Sequence, residues 1–347
     1  MKIVHLVDHF YPRIGGVEKH VKEVAFAQVG LGHEVTVISG QYQEMSEYQN
    51  LDMIDIFRYP ALRSPLRAWL WHLKNRRLYS NADIIHIHNI SSFESVPSFL
   101  IKKGKSVLTL HGWGGKFPIP GVQKKLIRKR VRASAGKVVT VGHFVNKWYG
   151  ITSDLVIYGA IDPALFNFQH QNHPRYDICI FGRLEKDAGV DVYIDALVKF
   201  VNIRKDLKIC ICGDGSMKSE LLRKLSKAEV DFYGFIDKPE LLIKNSRCCF
   251  TSGYLAILES LALSRKVFSV YDNPVKEDYL KLSPFEKDIY ISGTSQDLIR
   301  QLDMFFSEGF NESMIRPEYV LDASWGNLVK SYNKLYLQLQ GVNDDCL

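Results

Sequence analysis

The residues best placed to do chemistry follow short apolar runs. In Cys248–Ser264, CCFTSGYLAILESLALS, a strand-like run turns on Gly253 into a segment whose Leu255, Leu258, Leu261 and Ala262 share a helical face. The backbone N–H groups at such a helix mouth can hold an anion. Glu259 is the one carboxylate there, and it can accept two hydrogen bonds from a vicinal diol such as a ribose. In ICIFGRLEKDAGVDVYIDAL, residues 178–197, a strand ends at Gly182 and Arg183 follows. Its planar guanidinium suits a diphosphate, and Lys186 adds a second positive charge. In LTLHGWGGKFP, residues 108–118, His111 ends a strand among glycines, where it can bond a sugar hydroxyl or move a proton. A solvated Glu, a surface Arg and a structural His are the alternatives at these positions.

Other turns support these. HFYPRIGGVEKH, residues 9–20, sets Gly15 and Gly16 between a strand and a helix, so backbone can approach an anion. CGDGS, residues 212–216, repeats strand, glycine turn and helix, with Asp214 in the turn. YGFID, residues 233–237, is a strand exit able to present backbone to a base. A dinucleotide fingerprint is absent: Gly15 and Gly16 are adjacent, and the second strand ends in Ser39-Gly40. Gly104-Lys105-Ser106 lacks the earlier glycine of a phosphate-binding P-loop. His86 and His88 form an H-x-H pair with no third ligand apparent, and Cys210-Ile-Cys212 lacks zinc-knuckle spacing, so no metal is expected.

The elements that carry these residues alternate. Strand-like runs at Ile3–Val7, Val35–Ser39, Ile54–Tyr59, Asp83–His88, Val107–His111 and Val138–Val141 are separated by segments of helical spacing. A second series follows: Ile178–Phe181, Leu207–Cys212, Val230–Tyr233, Cys248–Phe250, Val267–Val270 and Ile289–Ser292. Such alternation predicts α/β units with parallel sheets covered on both faces. We expect two facing Rossmann-like domains with an interdomain cleft, because ligands bind beyond the carboxyl ends of such strands. The expected domains are residues 1–162 and 175–320, joined by a Pro-containing polar linker over 163–174. Residues 321–347 carry a helical stripe of Leu328, Tyr332, Leu335, Tyr336 and Leu339, read as a helix packing back across the domains.

Taken in order, YPRIGGVEKHV, HGW, FGRLEKDAGVDVYIDAL, CGDGSMKSEL, YGFID and SGYLAILESLA resemble glycosyltransferase family 4, of the two-Rossmann architecture called GT-B. The resemblance spreads over nearly the whole chain. It implies sugar transfer from a nucleoside-diphosphate sugar (UDP or GDP), usually with retention at the anomeric carbon and without a metal or other cofactor. We expect an acceptor among glycans or lipid-linked sugars of cell-surface polysaccharide synthesis. By the same resemblance Arg183 holds the diphosphate with Lys186 beside it, Glu259 holds the ribose, and His111 approaches the donor sugar. Gly15 and Gly16 line the cleft, Ile236 sits by the base, and Gly182, Asp214 and the backbone of Ser252, Gly253, Tyr254 and Leu255 complete the donor side. Two positions depart from the family pattern: Ala188 stands where a Lys is usual, and Thr251 where an acid is usual. These departures keep open a sugar-nucleotide-binding subunit without turnover, and the architecture also admits a nucleotide-sugar epimerase.

The 347 residues exceed one ordinary core, and 46% hydrophobic with 24% charged residues is a globular composition. There is no apolar run of membrane-spanning length and no leader-like start, so a cytoplasmic protein is expected. The net charge of +7 favours anionic partners. Residues 121–137 carry Lys124, Lys125, Arg128, Lys129, Arg130, Arg132 and Lys137 with no acid. Residues 63–77 carry Arg63, Arg67, Lys74, Arg76 and Arg77 beside Trp69 and Trp71. Basic helices with interfacial aromatics suit an anionic membrane surface, here the inner face of the cytoplasmic membrane; an ordinary solvated basic face reads equally well. No recognition module accompanies the charge, so nucleic acid is not expected as a partner.

Overall fold

The computed structural model describes residues 1–41, 45–60, 65–112, 117–168, 173–236, 238–308 and 316–342. The expected contributions of Arg63, Gly114, Gly115, Asp237 and the polar run 169–172 lie outside them. The chain folds as two compact α/β units, Met1–Tyr158 with Trp325–Leu347, and Gly159–Ser324.

The first unit is built on β1 (Lys2–Val7), β2 (Glu34–Gly40), β3 (Tyr48–Leu51), β4 (Ile54–Tyr59), β5 (Ile84–His88), β6 (Ser106–Leu110), β7 (Lys137–Val141) and β8 (Leu155–Ile157). They form one sheet in the order β3-β4-β2-β1-β5-β6-β7-β8. Only β3 pairs antiparallel, to β4. The central strands IIHIH and SVLTL are buried at every position, as both faces of a covered parallel sheet must be. The polar β3 has no apolar alternation to announce it. Hydrogen bonds from Tyr48 and Asn50 to the Asp55 carboxylate hold it, across a hairpin turned by Asp52 and Met53 at positive φ. The Trp325–Leu339 helix belongs to this unit, buries Leu328, Tyr332, Leu335 and Tyr336, and packs on the Gly16–Gly30 helix.

The second unit is built on β9 (Tyr176–Phe181), β10 (Lys208–Cys212), β11 (Glu229–Phe232), β12 (Ser246–Phe250), β13 (Lys266–Val270) and β14 (Tyr290–Ser292). Its sheet runs β11-β10-β9-β12-β13-β14, parallel throughout. One face packs Ile178, Tyr193, Leu197, Phe200, Phe250 and Phe268 into a core with Leu298 and Leu302. The other gathers Cys179, Cys210, Cys212 and Cys249 with Tyr176, Ile243 and Leu263. The register sets Cys210 and Cys249 on either side of Cys179. All the described cysteines are buried free thiols. The chain passes between units at Tyr158 and Gly159, ahead of the expected linker. Residues Pro163–Asn167 form a 3-10 turn capped by Asp162, and Leu165 and Phe168 pack on the second unit's core. No helix among the described residues is long and apolar enough to cross a membrane.

Candidate functional site

In the second unit, the loops leaving β9 and β10 run against each other. Gly182 N–H donates to the Cys212 carbonyl at 3.0 Å, and Leu184 N–H to that of Asp214 at 2.9 Å. A Cβ on Gly213 would stand 1.8 Å from the Gly182 carbonyl oxygen. The CGDG glycines therefore allow the Gly182–Arg183 corner to form. Ser216 pins it by donating from its N–H and hydroxyl to Glu185, which lowers the Glu185 pKa. Asp214 is half-buried, accepts from Gly215 N–H at 2.8 Å and faces Lys218 at 3.5 Å. Its carboxylate serves the loop itself. Ile236 is partly buried against the thiol-lined core.

Arg183 is exposed, and its guanidinium donates to Asp187 at 2.9 Å. Lys186 is also exposed, on the short 3-10 turn that ends at Ala188. A third cation, which the motifs gave no reason to name, stands beside this pair. Lys276 is buried, and its ammonium donates to the Ser252 carbonyl at 2.8 Å. Desolvation lowers its pKa to about 8, with Asp187 opposing and Arg183 adding to that shift. At the ends of β9 and β12, Arg183 thus bonds Asp187 directly, while Lys276, held on the Ser252 carbonyl, lies close enough to feel both charges. The Pro274–Lys281 helix brings Lys276 there, and its start was readable: Asn273 caps it by accepting from Val275 and Lys276 N–H, with Pro274 next. The burial of Lys276 was not readable, because it depends on where the Ser252 carbonyl falls.

Ser252 itself is structural through its hydroxyl, which meets Tyr193 at 2.8 Å and accepts from Val270 N–H at 3.0 Å. Gly253 caps the Tyr254–Ala262 helix. Tyr254 N–H is taken by the Tyr279 hydroxyl at 2.8 Å, and the two rings stack at 3.8 Å. Leu255 follows in the first turn, where backbone N–H groups have no helical carbonyl to bond. Glu259 is buried in the second turn. Thr251 is buried, with its hydroxyl oxygen 3.8 Å from where a Gly182 Cβ would stand.

In the first unit, His111 follows β6 and lines a cavity of about 730 Å³ with Asn89, Ser91, Leu126, Arg130 and Tyr149. Asn89, at positive φ, accepts from His111 N–H at 2.9 Å. His111 Nε2 lies 2.9 Å from His88 Nδ1, and burial pushes the His111 pKa down to about 3. The H-x-H pair has a third imidazole after all: β1 pairs with β5 so that His5 lies beside His86. All three rings already spend their nitrogens on hydrogen bonds. Gly15 and Gly16 open the Gly16–Gly30 helix, where the Glu18 carboxylate folds back over Gly15 and faces Arg13 at 3.6 Å. That carboxylate opposes an anion at this helix mouth.

The basic stretch lies on the Gly121–Ser134 helix, whose Val122, Leu126 and Ile127 line the same cavity. Arg130 pairs with Glu94 at 2.6 Å, Lys137 pairs with Asp154 at 3.0 Å, and Lys124 sits over the Trp148 ring. On the Pro65–Lys74 helix, Leu66, Trp69 and Leu70 are exposed with Arg67 and Lys74 around them.

Comparison with known proteins places the chain. Residues 14–163 match the family described as Glycosyltransferase Family 4, and residues 163–265 match Glycosyl transferases group 1. A phosphatidylinositol N-acetylglucosaminyltransferase GPI3 subunit of Saccharomyces cerevisiae is 22% identical over 242 residues, 61% of this chain and 53% of that protein. The chain thus spans about half the length of the curated relatives of this kind that it matches. A glycosyltransferase structure from Rickettsia africae superposes with a TM-score of 0.73 at 18% identity, covering 98% of both chains. Anabaena HepE, solved with UDP and glucose, superposes at 0.65 with 13% identity, covering 98% of this chain and 97% of its own. These likenesses show the GT-B fold. With the two family models matched in order along one chain, the chain belongs to glycosyltransferase family 4.

Proposed function

We propose that the second unit binds a nucleoside-diphosphate sugar, with Arg183 and Lys276 on the diphosphate, Glu259 on the ribose and Ile236 beside the base. The observation that carries this reading is two neighbouring cations of opposite setting: Arg183, exposed and bonded to Asp187, and Lys276, buried against the Ser252 carbonyl within the field of both. Leaving diphosphate develops negative charge, and fixed guanidinium, ammonium and N–H dipoles stabilise it. Lys276 takes the part of the family lysine that Ala188 replaces, which Lys186, out in solvent, fits less well. A uridine nucleotide is favoured by likeness to the Anabaena protein solved with UDP and glucose. In the first unit, His111 meets a sugar hydroxyl at the wall of the cavity it lines, and that cavity takes a glycan or lipid-linked acceptor of cell-surface polysaccharide synthesis. Transfer proceeds with retention, and side chains rather than a metal neutralise the diphosphate. Incubation with UDP-, GDP- and ADP-sugars and candidate acceptors tests this. Acceptor-dependent release of nucleotide supports transfer. Binding without release would make the chain a subunit without turnover, and a new nucleotide sugar formed with no acceptor would make it an epimerase.

A second feature favours work at a membrane surface, the inner face of the cytoplasmic membrane. Leu66, Trp69 and Leu70 form an exposed apolar stripe among Arg67, Lys74, Arg76 and Arg77, the pattern of an interfacial helix. The lipid named in the yeast relative, phosphatidylinositol, agrees with an acceptor held in such a surface. Flotation with anionic liposomes should carry the protein upward at low salt, less so at high salt, and less for Trp69→Ser with Leu70→Ser. Absence of salt-sensitive flotation removes this reading.

A further inference from the structure

Behind His111, the first unit buries a head-to-tail chain of polar side chains. His5, Gln28, His86, His88 and Thr109 are fully buried. A neutral imidazole has one N–H and one bare nitrogen, so the direction of one bond fixes the next. Gln28 Oε1 only accepts, so His5 Nε2, 2.7 Å away, carries the hydrogen and His5 Nδ1 is bare. His88 Nε2 must then donate to His5 Nδ1 at 3.0 Å, leaving His88 Nδ1 bare. His111 Nε2 must donate to His88 Nδ1 at 2.9 Å. His111 Nδ1 is left with its lone pair.

The other arm runs the same way. Gln28 Nε2 donates to the Tyr336 hydroxyl at 3.3 Å, freeing the phenolic hydrogen for His86 Nδ1 at 2.6 Å. His86 Nε2–H goes to Thr109 Oγ1 at 2.7 Å. Close by, the Tyr332 hydroxyl meets His20 Nε2 at 3.1 Å. The rule applies because the rings are neutral: burial pushes His5 to about 4 and His111 to about 3, and holds His20, His86 and His88 well below the usual value.

We propose that Gln28 is a positioning residue for His111: acting through His5 and His88, its amide keeps the His111 proton on Nε2 and leaves Nδ1 as a hydrogen-bond acceptor at the cavity wall. The functional half of this inference rests on the reading of His111 as a substrate-facing group. Turning the amide over would reverse every bond and make Nδ1 a donor. Accepting from a sugar hydroxyl and donating to a sugar oxygen are opposite recognitions, so a glutamine three hydrogen bonds away decides which one His111 performs. A carboxamide does not relay protons as imidazole does, so the chain orients rather than conducts.

The test is ring 1H–15N correlation spectroscopy on the full chain labelled with 15N-histidine, with His111 signals assigned by their loss in His111→Asn. At neutral pH His111 should show a protonated Nε2 and a bare Nδ1. Gln28→Leu, and independently the milder Tyr336→Phe, should each convert this single form into a mixture of tautomers. A proton on Nδ1 in the unaltered protein, or an undiluted Nε2–H form surviving in both variants, overturns the proposal. The spectra need neither donor nor turnover. Unimpaired turnover in His111→Asn would instead remove the substrate-facing reading, and with it the positioning role, even where the tautomer is fixed.

Discussion

Replacing Lys276 with methionine should move stability and donor affinity in opposite directions. The ammonium is buried, and its pKa falls from 10.5 to about 8. At about 1.4 kcal/mol per pKa unit, the charged lysine lowers stability by roughly 3 kcal/mol. The sign follows from proton counting. Between pH 8 and 10.5 the unfolded chain holds more protons, so stability rises with pH through that window, and the penalty is complete below pH 8. Methionine fills similar space without charge, but it leaves the Ser252 carbonyl without its 2.8 Å donor. That loss costs about 1–3 kcal/mol, so the gain is on the order of 1 kcal/mol, or roughly 2–4 °C in Tm. The diphosphate loses a charge-assisted bond worth about 1.5–3 kcal/mol, which weakens UDP by about ten- to a hundredfold. UDP affinity of the unaltered protein should also fall above pH 8 as the lysine deprotonates, and this dependence should vanish in the variant. Calorimetric titration and a thermal melt read both. Unchanged UDP affinity, or a lowered Tm, would refute the assignment of Lys276 as a strained cation kept for the phosphates.

The buried imidazoles should make the protein acid-sensitive. His5 and His111 stay neutral down to about 4 and 3 in the folded chain, while the unfolded chain protonates near 6.5. Stability should therefore fall as pH drops below 6.5, by about 1.4 kcal/mol per pH unit for each such histidine. Urea unfolding at pH 7, 6 and 5 measures this, and a flat profile contradicts it. Gly213→Ala should lower Tm and abolish nucleotide binding together, because the added Cβ meets the Gly182 carbonyl oxygen at 1.8 Å and displaces the corner that carries Arg183. Overpacking of this kind costs about 1–3 kcal/mol or more. A stable variant with normal UDP affinity would show that this corner does not hold the donor.

Most strands were readable because covered parallel strands are continuous apolar runs, as in Ile84–His88 and Ser106–Leu110. The polar β3 and the three-residue β8 carry no such signal. The passage between units was displaced for a similar reason. The polar run near residue 170 was the sequence signal for a linker and lies outside the described residues, while the turn at Gly159 depends on a positive φ and on Leu255, which lies 2.6 Å from where its Cβ would stand. Among the proposed site residues, Arg183 and His111 were visible because each follows a strand into a glycine turn. Lys276 was hidden in an ordinary amphipathic helix, and the histidine chain in residues as distant as His5 and His88. Only the sheet register brings those together.

The proposed sugar transfer depends on the second unit seizing a nucleoside diphosphate through the Arg183 corner. Isothermal titration of UDP and GDP into the unaltered protein and Arg183→Ala tests this most directly. Saturable binding of at least one nucleotide is predicted, weakened about ten- to a hundredfold by the substitution, with the melting curve of the free variant unchanged. Binding that survives the substitution at full strength, or no binding of either nucleotide, would contradict it.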